Sequence, residues 1–481
     1  MHLRLLLCGF ILVVSSQVIA SENYTNDVTL LKNALETAHP GYNRYISNSE
    51  LASRWTELEQ VVADKPSELE FYTAVSKLLV SLRCEHTKAE FSPKLEKQKR
   101  QSFMPFRFRI FDNRMFVEYA DSETDLKKGD EIIAINGYPI QRIISQLSPY
   151  VERDGYTDHT TVSLLEQNFD LLGSSFEQFF SSAVLQQDTF ANEFNILVKK
   201  LGADQTTNTS MAAISFDDWI KLSKQPYRLN FKDAVNVEIN DTTAVLKVDT
   251  FVNYRQPIDA FELFEKVFAE FDNKGITELV VDLRSNGGGS DDAQMALLRH
   301  LYQVPFTLVN GAWLSSKPLG PLAEKLSSWD RTAVDIDKTK LPLIDYGRAI
   351  PLQALGINAQ QQQPAKYAFK GEVVLLTSKK NASASAALLS HIQQQTNVTL
   401  VGDATGGNQG GTTATVIAFL TLPESQIVVR VPLIRNRYTI ENALDGLGAY
   451  PDIYASEQLN DFLSGRDVAM ETALSLFEQA K

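Results

Sequence analysis

Cysteine is almost absent from this chain, with two in 481 residues, Cys8 and Cys84. Cys8 falls inside an apolar leader, so a processed chain keeps one thiol. That excludes an intrachain disulfide and a cysteine-rich metal site. Long apolar runs are also missing: beyond the leader, no stretch approaches the roughly 20 apolar residues that a membrane-spanning helix needs. Basic runs are missing too. The chain carries 46 Lys and Arg against 59 Asp and Glu, a formal charge of −13, which argues against nucleic acid and against anionic membrane surfaces as partners. Stability must come from apolar cores, and a chain of this length can bury several.

What is present begins with that leader. Arg4 precedes LLLCGFILVV (residues 5–14), and Val18-Ile19-Ala20 offers a small-residue cleavage site. This is the pattern of a secretory signal and is too short for a spanning helix. Cys8 lies too early in the apolar stretch for a lipoprotein cleavage site. Removal of residues 1–20 takes away Arg4 and no acidic residue, so −13 becomes −14. The expectation is an exported chain, periplasmic or secreted, without stable membrane insertion.

Residues 21–100 read as a helical region. VTLLKNALETAH, SELASRWTELEQVVA and SELEFYTAVSKLLVSL repeat apolar residues at helical spacing, with Asn48 or Ser49 and then Ser67 as caps. The segment SLRCEHTKAEF closes this block and carries His86. FRFRIF and RMFVEYA then alternate across Asp112-Asn113 as a hairpin would. LKKGDEIIAINGYPI (126–140) resembles the core signature of a PDZ domain, without the glycine-rich carboxylate-binding loop of that family. The resemblance implies a PDZ-like subdomain at 101–150, whose sheet edge would capture peptide termini by strand addition.

Residues 151–235 are mostly polar and are expected to form a helical connector. From 236 to 460 strands and helices alternate, which implies an α/β core with a largely parallel sheet. Residues 305–368 interrupt it as an insertion over one edge of the site, and 461–481 read as a C-terminal helix.

Two junctions in the core carry chemistry. ELVVDLRSNGGGSDD (278–292) and EVVLLTSKKNASASAALLSHIQQQ (372–395) each break an apolar strand at small residues and reopen as a helix. A helix start directs free N–H groups and a positive dipole end outward, which suits a developing oxyanion. Gly287, Gly288 and Gly289 let backbone approach a substrate closely. Ser383 stands between two alanines, where its hydroxyl can face solvent with the Ala384 N–H beside an attacked carbonyl. Ser383 could instead cap the helix, and Ser385 is the rival nucleophile.

DLRSNGGG, then VVLLTSKKNASASAALL, then LVGDATGGNQG, with GAYPDI near the end, resemble the C-terminal processing (tail-specific) serine peptidases, to which the tricorn core protease is related. The resemblance covers 237–455 and implies a crotonase- or Clp-like α/β peptidase core that hydrolyses peptide bonds in protein or peptide substrates, with no metal or organic cofactor. No feature of the sequence sets an oligomeric state. The Ser-Lys branch of the family takes its base from a lysine 25 residues after the serine. Here that position is Asn408, which cannot accept the proton. Lys379 and Lys380 fall on the approach turn and are expected to be solvated.

The tricorn-like branch uses histidine, and CEHT (84–87) resembles the segment that supplies it, which makes His86 the implied base. His39, His159, His300 and His391 fall in a turn, a polar loop and two helices. An imidazole titrating near about 6.5 suits proton transfer. Glu441, 58 residues after Ser383, matches the family glutamate that orients the base; Asp445 in the same loop is the alternative, and Glu85 is adjacent to His86. The other reading of the chain is a non-catalytic member of the same fold that binds peptides or a small ligand.

Overall fold

The computed structural model describes residues 23–168, 172–223 and 226–479, and the leader expected at 1–20 lies outside them. Three helices open the described chain, Thr25–Ala38, Asn48–Ala63 and Glu68–Ser81. Ser67 caps the third by a reciprocal box with Glu70. The second is capped by Ser47, whose hydroxyl accepts the Glu50 amide, rather than by Asn48 or Ser49. Among the described residues no helix is long and apolar enough to cross a membrane.

The hairpin Phe106–Phe111 and Arg114–Ala120 forms as the alternation requires. Asp112 and Asn113 both take left-handed φ, at 50° and 59°, as a two-residue turn between twisted strands demands. Glu131–Ile135 pairs with this hairpin, and the sheet then takes two further strands, Glu193–Lys199 and Thr206–Ala212. The β subdomain therefore reaches past 150 into the stretch expected to be a helical connector. The last strand, TTNTSMA, has almost no apolar face, so alternation could not reveal it.

The core sheet has six strands in sequence order: β1 (Val235–Asn240), β2 (Thr243–Val248), β3 (Glu278–Asp282), β4 (Glu372–Thr377), β5 (Val398–Gly402) and β6 (Ile453–Tyr454). Only the β1–β2 pair is antiparallel. Helices α1 (Ala260–Lys274), α2 (Asp291–Leu301) and α3 (Ser383–Ile392) cover one face and share a core with Phe264, Phe268, Leu298 and Leu388. The other face meets α4 (Val468–Gln479) through Ala473 and Phe477 against Val280, Val374 and Val401. All five residues of β3 are buried; each buried Val or Leu contributes about 1.5–3 kcal/mol. Central strands of this kind fix the sheet rigidly, and both chemical junctions leave its same edge, at the ends of neighbouring parallel β3 and β4.

The alternation of strand and helix breaks between β5 and β6. Ile417–Thr421 and Val428–Pro432 form an antiparallel pair that joins Ala89–Glu90 and Leu326–Ser327, and Arg435–Tyr438 pairs with Val309–Leu314. The 305–368 segment thus contributes short strands to two small sheets. One of them ties the N-terminal block, and with it the His86 turn, to the peptidase core.

Candidate active site

Ser383 is the first residue of α3 and has φ +49°. A residue with a side chain rarely adopts this left-handed conformation, which stores strain of about 1–3 kcal/mol. The bend is held by Asn381, fully buried, whose Nδ2 donates to the carbonyls of Leu283 (2.6 Å) and Asn286 (3.1 Å) and whose Oδ1 accepts the Ser378 amide (2.7 Å). One amide therefore clamps the two junctions together. Ser383 makes no side-chain cap to its helix. Ser385 is fully buried and accepts from Asn381 Nδ2 at 3.1 Å, which removes it from contact with a substrate.

The glycine run faces this bend. Gly288 (φ +107°) lies so close that a Cβ there would sit 2.8 Å from Ser383 Cβ and 3.0 Å from the Ala384 nitrogen. Its own N–H, however, donates to Asn286 Oδ1 at 2.9 Å. Gly288 thus serves by lacking a side chain rather than as an oxyanion donor, a correction to the expectation for this residue. The expected glycine donors are accordingly Gly287 and Gly289, with the Ala384 N–H at the helix start. Asn286 and Asn381 were not singled out from the sequence. The only signal was an amide side chain beside each run of small residues.

His86 sits in a tight turn closed by the Thr87 amide on the Cys84 carbonyl at 3.0 Å. Glu85 Oε1 accepts the Ser383 amide at 3.2 Å and lies 3.8 Å from His86 Nε2. One carboxylate oxygen therefore spans the His86 ring and the Ser383 backbone, at a helix N-terminus that favours negative charge. On the other side of the turn, Asp154 Oδ1 accepts the Glu85 amide at 3.0 Å. The ligand atoms of Cys84, His86 and Asp154 all lie within 4.8 Å of one another. Asp154 is buried, and desolvation pushes its carboxyl up to about 6 against the opposing Glu85 amide, Arg44 and Lys88.

Asp154 reaches this place because its loop is stitched on both flanks. The Gly155 amide donates to the Arg83 carbonyl (2.9 Å) and the Tyr156 amide to the Gly446 carbonyl (2.7 Å). Gly155 packs on Gly446, where a Cβ would come within 2.3 Å of the Gly446 Cα. In the sequence, ERDGY falls in the mostly polar stretch expected to be a connector, and no local pattern links it to residue 86.

Glu441 stands apart from this group. It is exposed, and its amide donates to Gln394 Oε1 at 3.1 Å, beside the C-terminal end of α3, whereas Ser383 begins that helix. Ten residues of helix separate the ends by about 15 Å. Asp445 is paired with the Arg44 guanidinium and lies 3.9 Å from Arg435. The carboxylates near His86 here are Glu85, at 3.8 Å, and Asp154, within 4.8 Å, which corrects the placement expected for Glu441. Asn408 is a buried loop hub: its Oδ1 accepts the amides of Gly410 (2.8 Å) and Gly446 (2.9 Å), and its Nδ2 donates to Tyr45 Oη. Lys379 is partly exposed near Asp403, and Lys380 is partly buried rather than free in solvent. Burial lowers its ammonium, with Arg109 adding to this effect and Glu166 and Glu118 opposing it.

The other histidines among the described residues are spoken for. His39 contacts Thr87, His159 reaches the Thr405 carbonyl, His300 stacks on Phe268, and His391 meets Tyr302 and the Thr307 carbonyl.

Residues 242–455 match peptidase family S41, and residues 100–220 match the PDZ domain. The match at 100–220 includes the two strands that extend the β subdomain beyond 150. Among solved structures, mature CPAF is similar at 13% identity and a TM-score of 0.65, over 94% of this chain and 95% of that one. Mature CPAF complexed with lactacystin is similar at 13% identity and the same score, over 94% and 97%. The photosystem II D1 C-terminal processing protease aligns at 14% identity over 91% and 94%, with a TM-score of 0.41. No curated protein sequence matches the chain. The chain is a serine peptidase with a family S41 peptidase domain and a PDZ domain.

Proposed function

We propose that this is an exported endopeptidase of the tail-specific type, working through Ser383 and His86 in the manner of the histidine-using branch. The observation that carries the reading is the single Glu85 oxygen shared by the Ser383 amide and the His86 ring. It brings an imidazole to a serine held at a strained helix start. Ser383 Oγ attacks a substrate carbonyl while His86 takes its proton. The new oxyanion is held by the Ala384 N–H and by N–H groups of the glycine run. His86 then protonates the leaving amine, and an acyl-enzyme remains until water, deprotonated by the same imidazole, releases the new carboxylate and restores the Ser383 hydroxyl.

Asp154 takes the orienting role that the family resemblance gave to Glu441, because it is buried against the turn that presents His86. Above its elevated pKa it is ionised and stabilises the imidazolium. The leader at 1–20 supports export to the periplasm or beyond. The PDZ domain supports the recognition of substrate chain ends. The test is a serine-directed fluorophosphonate probe together with a peptide carrying a free or an amidated C-terminus. Labelling at Ser383 and preference for the free carboxylate are expected. Equal cleavage of both peptides would remove the tail-specific assignment, and absence of labelling would remove the nucleophile. Cell fractionation checks export, with the cleaved chain expected outside the cytoplasm.

A further inference from the structure

Cys84 has no part in hydrolysis, yet it lies beside the proposed base. It is fully within the protein, 7% exposed, and Asp154 beside it is 5% exposed. With His86 they offer one sulfur, one ring nitrogen and one carboxylate oxygen, all within 4.8 Å of one another. Two donors come from one tight turn, at i and i+2, and the third from the loop stitched to Arg83 and Gly446. This mixed set does not suit calcium or magnesium, which want oxygen alone. It does suit zinc, which binds thiolate, imidazole and carboxylate together and accepts three protein ligands with one open position.

Ligand-to-ligand edges in a zinc tetrahedron are about 3.3–3.8 Å. Closing the cluster therefore asks for side-chain shifts of at most about 1.5 Å. The nearby cations are already engaged, since Arg44 is paired with Asp445 and Lys88 with Glu152 at 3.1 Å. Zinc must displace the thiol proton, so binding weakens as pH falls.

We propose that Cys84, His86 and Asp154 form an inhibitory site for zinc, which binds reversibly and occupies the imidazole lone pair needed to activate Ser383. The site rests on the proposed role of His86 for its effect on activity, but not for metal binding itself. Zinc coordinates without any change of oxidation state. One proton leaves the Cys84 thiol on binding and returns when the metal is removed.

The experiment uses the full mature chain, stripped of metal, with labelled casein as substrate and Zn²⁺ or Co²⁺ added alone. Zinc should inhibit hydrolysis, and a chelator should restore it. Cobalt should give the near-ultraviolet thiolate charge-transfer band. In Cys84→Ser and Cys84→Ala, each checked for a native melting transition, the band should vanish. The zinc concentration for half-inhibition, read against each variant's own metal-free rate, should rise roughly tenfold or more. Unchanged inhibition in both variants with no cobalt band in the wild type would overturn the site. A Cys84-dependent band with full hydrolysis in saturating zinc would overturn its inhibitory role. A Cys84-dependent band in a chain that never hydrolyses casein would uphold the metal site and count instead against the catalytic reading of His86.

Discussion

Gly288 and Ser383 are packed so that the absent side chain of one makes room for the other: a Cβ on Gly288 would lie 2.8 Å from Ser383 Cβ and 3.0 Å from the Ala384 nitrogen. The backbone at Gly288 is also left-handed, at φ +107°, where a side chain adds strain. Gly288→Ala should therefore lower turnover by about two orders of magnitude or more, the scale seen when one oxyanion donor is lost. Its effect on substrate affinity should be small, because the methyl obstructs the Ala384 N–H rather than the approach to the site. Steady-state kinetics on a peptide substrate separates the two, and an unchanged kcat would mean that the oxyanion is not held at Ala384.

The two serines of the α3 start should respond in opposite ways. Ser383→Ala removes the proposed nucleophile and should abolish labelling by a serine-directed probe, while the Cβ that strains the turn at φ +49° remains, so the melting temperature should change little. Ser385→Ala leaves Asn381 Nδ2 with one acceptor fewer in a buried site. It should destabilise by about 1–2 kcal/mol and keep labelling. Labelling lost in Ser385→Ala alone, with the fold intact, would reverse the assignment.

The serine bend, the glycine run and the histidine turn were legible because each is a local signal: an apolar strand broken by small residues, or a short motif resembling a known family. What the sequence hid is long-range. Asp154 comes to His86 only because Gly155 packs on Gly446 and its amide pairs with Arg83, contacts that no period or spacing encodes. The strand 206–212 was hidden for a different reason, since both its faces are polar. Counting 25 residues from the serine located Asn408 at the position of the family lysine. That it instead ties Gly410 and Gly446 together needed the fold. A count of 58 led to Glu441, but in this structure a carboxylate from another segment, Asp154, lies within 4.8 Å of His86.

That difference is testable by charge-neutral substitution. Asp154→Asn keeps an acceptor for the Glu85 amide but cannot stabilise an imidazolium. Its kcat should fall by about 10²–10⁴, with KM nearly unchanged. Glu441→Gln and Asp445→Asn should each cost less than about tenfold. In the wild type, activity should decline as pH falls through about 6, where Asp154 takes up a proton. A large kcat loss in Glu441→Gln with none in Asp154→Asn would restore the family glutamate as the orienting group.

The stability of the His86 turn should itself depend on a second histidine. His39 is 3% exposed; its Nδ1 accepts the Gly41 amide at 3.0 Å, so Nε2 carries the proton and donates to Thr87 Oγ1 at 2.8 Å. Burial, with Arg435 and Arg44 nearby, lowers its pKa from 6.5 to about 3. The folded chain thus keeps it neutral while the unfolded chain protonates it, so its contribution to stability is complete above about 6.5 and is lost progressively as pH falls toward about 3. By pH 5 the loss from this one group is about 2 kcal/mol. His39→Gln, which can still accept from Gly41 and donate to Thr87, should be less stable than the wild type at pH 8 but should flatten the fall between pH 7 and 5. Urea midpoints across that range would check it. Parallel pH curves for variant and wild type would show that the neutral imidazole is not what couples this turn to acid.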